Sequence, residues 1–116
     1  MKDDRLYLIH ITECITRIER YVADGRERFL ADEKTQDAVL RNLQVLSEST
    51  QRLSQEFKEQ NPDIDWKGLS GLRNILVHAY LGINLARIWE IVSDFLPRLM
   101  VRAQAMLSEV NRQTCT

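Results

Sequence analysis

Leu8-Ile9-His10-Ile11-Thr12-Glu13-Cys14-Ile15-Thr16-Arg17-Ile18-Glu19-Arg20-Tyr21-Val22 returns an apolar residue every three or four positions, at Leu8, Ile11, Ile15, Ile18 and Val22. That spacing gathers all five on one face, so residues 4–22 are predicted to form an amphipathic helix with a buried stripe. Asp24-Gly25 ends the pattern, because glycine readily takes the left-handed conformation that follows a helix. Residues 25–31 read as a connector anchored by Phe29 and Leu30. Asp32 is placed to cap a second helix, in which Val39, Leu43, Leu46, Leu53 and Phe57 recur until Asn61-Pro62 stops it. At more than about 25 residues, this helix is predicted to be the spine of a bundle.

A third helix is expected behind Asp65, from Trp66 to His78 or Tyr80. Gly68 and Gly71 each cost it about 1 kcal/mol of helix propensity, so close approach of another backbone or of a phosphate is expected there. Leu81-Gly82-Ile83 reads as a turn, and Asn84 caps a fourth helix that buries Leu85, Ile88, Trp89, Val92, Phe95 and Leu96. Pro97 lacks an amide proton and should kink or restart that helix before Leu99, Met100, Ala103, Met106 and Leu107 continue the stripe. The expected fold is all-α, an antiparallel four-helix bundle over residues 1–109 with a kink or short fifth helix near Pro97. Residues 110–116 read as a frayed polar tail.

Composition agrees with a helical domain. The chain has 116 residues with four glycines and two prolines, enough for one domain that folds without metals or disulfides. Cys14 and Cys115 show no ligand spacing, so no metal site is expected, and free thiols fit a reducing cytosol. The acidic start Met1-Lys2-Asp3-Asp4 lacks the basic and apolar regions of a signal peptide, and no apolar run reaches the roughly 20 residues of a membrane span. A cytoplasmic protein is expected. The formal net charge of −1 excludes a nucleic-acid binder held by a broad basic face. Residues 32–64 hold four basic and seven acidic side chains and residues 65–116 six and four, so a polyanion would meet the C-terminal half.

The chemistry is concentrated in Gly71-Leu72-Arg73-Asn74-Ile75-Leu76-Val77-His78-Ala79-Tyr80. Asn74 and His78 are four apart and face the same way, so the amide could orient the imidazole. Arg73 and His78 are five apart, roughly 140° round a helix. Two copies facing each other across a two-fold axis would bring both kinds of side chain to one phosphate. A histidine can take the proton of a ribose 2′-hydroxyl or protonate the leaving oxygen, and an arginine offers a planar fork to the phosphoryl charge. Such a site cuts RNA and spares DNA, which lacks the internal nucleophile. By itself the R-x4-H spacing is common, and it reads equally as Arg73 in a surface ion pair with His78 at a helix end. His10, Trp66 and Trp89 read as structural, and Cys14 as a small buried hydrophobe.

The stretch from Asn61 to Leu99 carries more than that spacing. Gly71-Leu72-Arg73-Asn74, Leu76-Val77-His78, Tyr80, Ile88-Trp89-Glu90-Ile91-Val92 and Leu96-Pro97 resemble the HepT-like family of the HEPN superfamily. Asp37-Ala38-Val39, Arg41-Asn42-Leu43 and Glu48 match the same family's second helix, and the likeness covers residues 2 to about 107. Ser47-Glu48-Ser49 stands where many relatives have Gly-Glu-Ala, and Asp65 where a proline is usual.

A His and an Arg without paired carboxylates suit metal-independent cleavage with no cofactor, and the resemblance implies a homodimeric helical ribonuclease toxin. Its expected partner is an MntA-type nucleotidyltransferase antitoxin in a type VII-like pair. It makes Arg73 and His78 the catalytic residues, Asn74 their polar neighbour, and Tyr80 the tyrosine that the antitoxin modifies with AMP. A bulky phosphate adduct beside His78 would block the cleft and repel RNA. The alternative is a non-catalytic HEPN module that binds a substrate or nucleotide for a nucleotidyltransferase, since fold alone does not fix function.

Overall fold

The computed structural model describes residues 2–78 and 82–114, and the positions of Tyr80 and Cys115 lie outside them. The described chain forms α1 (Lys2–Tyr21), α2 (Arg26–Ala31), α3 (Glu33–Arg52), α4 (Gln55–Gln60), α5 (Trp66–His78) and α6 (Leu85–Glu90). A π turn (Ile91–Phe95) then leads into α7 (Leu96–Thr114). Four long helices, α1, α3, α5 and α7, make the bundle.

Side-chain contacts fix their directions. Asp4 at the start of α1 meets Ser54 just past the end of α3, and Arg5 meets Asn111 near the end of α7. Gln51 pairs with Ser70 while Glu48 pairs with Arg73, so α3 and α5 also run oppositely. The bundle is therefore antiparallel. The predicted stripe of α1 is its core face: Leu8, Ile11, Ile15 and Ile18 are all buried. Val39, Leu43 and Leu46 of α3 and Leu96, Leu99, Ala103 and Met106 of α7 pack in the same cluster, with Cys14 among them. Burial raises the Cys14 thiol above its ordinary pKa, which keeps it the inert thiol of an apolar site.

Three local expectations are corrected. Residues 26–31 are helical rather than a plain connector, because Phe29 is drawn into the core and its ring lies 5.6 Å from that of Trp89. The single long second helix is two helices, since Leu53 and Ser54 are extended. Ser54 restarts the chain as a cap: its Oγ accepts from the Phe57 amide at 3.1 Å. Its own N–H and hydroxyl donate to the two Asp4 carboxylate oxygens, each at 2.7 Å. A buried carboxylate on a distant helix thus meets the polar groups freed by the break. Residues 110–114, expected as a frayed tail, continue α7, and Val110 packs against the core.

The interruption expected near Pro97 occurs as the π turn. The Leu96 amide reaches back five residues to the Ile91 carbonyl, and the chain continues without a break into α7, so the wider turn directly precedes Pro97, which has no amide to donate.

Candidate active site

Asp65 opens α5: its Oδ1 accepts from the Gly68 amide at 2.9 Å and its carbonyl from Leu69 at 3.1 Å. A side chain at position 68 would collide with the Asp65 carboxylate. That local cap, rather than an approaching helix or phosphate, accounts for Gly68. Trp66 donates its Nε1–H to the Asn61 carbonyl at 3.0 Å, with Lys58 over its ring, so it fixes the entry to α5 as a packing residue. Gly82, with φ of 118°, supplies the left-handed turn residue before α6. Asn84 caps α6 by accepting from the Arg87 amide at 3.2 Å.

Helical periodicity then divides α5 into faces. Leu69 and Leu72 are buried. Ser70 and Arg73 turn towards α3, where Ser70 Oγ donates to Gln51 Oε1 and Arg73 Nε donates to Glu48 Oε1, both at 2.9 Å. Lys67, Gly71, Asn74, Ile75 and His78 form the exposed outer face. A Cβ at Gly71 would meet nothing within 4 Å, and Ile75 is 58% exposed. Arg73 and His78 stand on the same unbroken helix but on different faces, and Asn74 shares the face of His78.

The Arg73–Glu48 pair is half-exposed, at 39% and 37% of side-chain surface, so its contribution to stability is about 1 kcal/mol or less. Its larger effect is geometric. Glu48 engages the Nε edge of a planar guanidinium, which leaves the terminal nitrogens as donors for a second acceptor such as the oxygens of a phosphate. Glu48 was legible in the sequence only as part of the second helix; no local pattern joins it to a residue 25 positions later.

Asn61 and Asp63 hold Arg102 away from this centre, Asp63 at 2.6 Å. The guanidinium beside Asp63 keeps that carboxyl below its ordinary range. His10, half-buried, sets its ring edge-on to Tyr7 at 6.2 Å. Among the described residues no three His, Cys, Asp or Glu side chains gather as a metal site, and no helix is long and apolar enough to cross a membrane.

Comparison with known proteins bears on what this arrangement is for. The family model described as Ribonuclease HepT-like matches residues 11–106, which include Glu48, Arg73 and His78. A Methanocaldococcus jannaschii protein named "Gamma-glutamylcyclotransferase and putative RNase" is 35% identical over 96% of this chain, and the chain spans only 50% of that relative's length. A second M. jannaschii protein, named "Putative RNase", is 36% identical over 94% of this chain and 91% of its own. The "Probable ribonuclease HepT" of Thermococcus cleftensis is 36% identical over 80% of this chain and 86% of its own. No solved structure matches the chain.

Proposed function

Because the chain belongs to the HepT-like ribonuclease family, we propose that it is a metal-independent endoribonuclease toxin with Arg73 and His78 as its catalytic pair. The observation that carries the reading is the posture of Arg73. A half-exposed guanidinium, fastened along one edge by Glu48, presents its remaining donors five residues from an exposed histidine at the end of the same helix.

In this reading His78 removes the proton of a ribose 2′-hydroxyl. The 2′-oxygen forms a bond to phosphorus as the bond to the 5′-oxygen breaks. The products are a 2′,3′-cyclic phosphate and a 5′-hydroxyl that takes up a proton from an imidazolium. Arg73 neutralises the charge growing on the phosphoryl oxygens. Asn74, one turn before His78, orients the imidazole from the same face.

Because Arg73 and His78 diverge round α5, a homodimer supplies the missing geometry. Two outer faces apposed across a two-fold axis make one cleft with two arginines and two histidines. Exposed Ile75 and the unoccupied space over Gly71 support that placement. Regulation by a nucleotidyltransferase antitoxin, through AMP added to Tyr80, follows from the family resemblance; an adduct two positions from His78 would occlude the cytoplasmic enzyme's cleft.

The test is incubation with total cellular RNA in excess EDTA, beside His78→Ala and Arg73→Ala. Cleavage by the wild type, lost in both variants, is the expected result. RNA left intact by all three proteins, with no AMP adduct on the wild type by mass, would overturn the enzyme in favour of the non-catalytic binding module. Incubation with the partner and ATP should add AMP at Tyr80, and an adduct mapped elsewhere removes that assignment.

A further inference from the structure

On the α1 side of the Arg73–Glu48 pair, α1 and α3 border an open groove of about 430 Å³. Its α3 wall is one helical stripe, Arg41, Gln44, Glu48 and Arg52, recurring at intervals of three and four. Its α1 wall carries Tyr7 and His10, with Leu6 at the rim, 47% exposed.

The charges of the groove are unequal. Glu48 is its acid, and that carboxylate is already engaged by Arg73. Arg41 and Arg52 are exposed and, like Arg5, Arg17, Arg20 and Arg26, join no ion pair among the described residues, but these two face one groove. Although residues 32–64 are acidic in sum and point a polyanion to the C-terminal half, folding brings their Arg41 and Arg52 into one concavity that shares a wall residue with the candidate active site. Eleven residues of helix separate them by about 16 Å, with Glu48 between.

We propose that this groove binds a single-stranded segment of the RNA whose phosphate Arg73 contacts. Arg41 and Arg52 hold backbone phosphates on either side of Glu48, and the half-buried ring of Tyr7 offers a stacking surface to an unpaired base. Paired bases in a duplex cannot turn onto such a ring, whereas single-stranded ones can, and base stacking on an aromatic tolerates any sequence. The proposal rests on the reading of Arg73 as a phosphate-binding residue. It adds a site that supplies the local positive field a nearly neutral protein needs to capture RNA.

The test uses the full chain in a His78→Ala background, with a fluorescein-labelled single-stranded RNA of mixed sequence followed by anisotropy across a salt series. Arg41→Gln and Arg52→Gln should each weaken binding and reduce the slope of log affinity against log salt by about 0.7. Tyr7→Leu should weaken binding about fivefold or more with an unchanged slope. Unlabelled duplex RNA should compete poorly. If Tyr7→Leu does not fold, the two surface arginine variants decide.

Affinity and slope unaltered in both arginine variants overturn the proposal. So does a shift of those variants from dimer to monomer with binding intact, which would make the groove an interface between copies. The readout is binding, so the expected pattern in a protein that cleaves no RNA keeps the groove and overturns only the nuclease. Cleavage by the wild type with unaltered binding in the groove variants overturns the groove alone.

Discussion

Glu48 and Arg73 lie 25 positions apart in the chain and meet at 2.9 Å, carboxylate oxygen to Nε. The contact joins α3 to α5 and sets which edge of the guanidinium faces outward.

If Glu48 positions Arg73, removing its acceptor should lower turnover more than binding. Glu48→Ala is expected to reduce kcat for RNA cleavage about tenfold, equivalent to about 1.4 kcal/mol of lost transition-state stabilisation, with KM nearly unchanged. Glu48→Gln keeps an oxygen for Nε–H and should retain most of kcat. Neither variant should lose more than about 1 kcal/mol of stability, because the pair is half-exposed. Steady-state kinetics on the two variants decide it, and Glu48→Ala with wild-type kcat would remove Glu48 from the site.

The break between α3 and α4 depends on Asp4, which is 3% exposed and accepts two hydrogen bonds at 2.7 Å from Ser54. Asp4→Ala strands the Ser54 amide and hydroxyl in a partly buried joint. Stability should fall by about 1–3 kcal/mol. Urea unfolding at neutral pH would measure it, and an unchanged midpoint would show that water satisfies those donors.

Gly71 sits mid-helix with open space around it. Gly71→Ala should stabilise the isolated chain by about 0.5–1 kcal/mol, since alanine restricts the unfolded backbone and meets nothing in the fold. Gly71→Arg should keep the fold while blocking an apposed α5. Light scattering is expected to report monomers, and RNA cleavage should fall with dimerisation. A dimeric, active Gly71→Arg would place the two-fold axis elsewhere.

Acid should loosen the joint between α4 and α5. The Arg102 hydrogen bond holds the Asp63 carboxyl below its ordinary range, so the unfolded chain binds this proton at a higher pH than the folded one. Stability from the pair is complete above the unfolded value of about 3.9 and is lost as pH falls through the depressed folded value. Asp63→Asn should flatten that part of the Tm-against-pH curve. A variant curve parallel to the wild type down to about pH 3 would show that the pair carries no linkage.

The sequence was most legible where periodicity alone decides. Leu8, Ile11, Ile15 and Ile18 sit where their spacing puts them, and Asp65 and Asn84 cap the helices they precede. Composition and period both read as one bundle, since a helix buries a stripe whatever its partner. The break at Leu53-Ser54 was hidden, because Leu53 and Phe57 keep helical spacing across it and the group that stabilises it, Asp4, is 50 residues away. Gly68 and Gly71 looked alike in sequence and differ in space, one giving room to a cap and the other facing open space.

By itself the sequence determined the helical class, the order of the four long helices and the segment that holds Arg73, Asn74 and His78, because these depend on residues within one or two turns of each other. Only the tertiary structure decided that Glu48 fastens Arg73 and that Arg41, Arg52 and Tyr7 line a groove beside it. Those relationships arise from the packing of α1, α3 and α5, and no local spacing encodes which residues of separate helices meet.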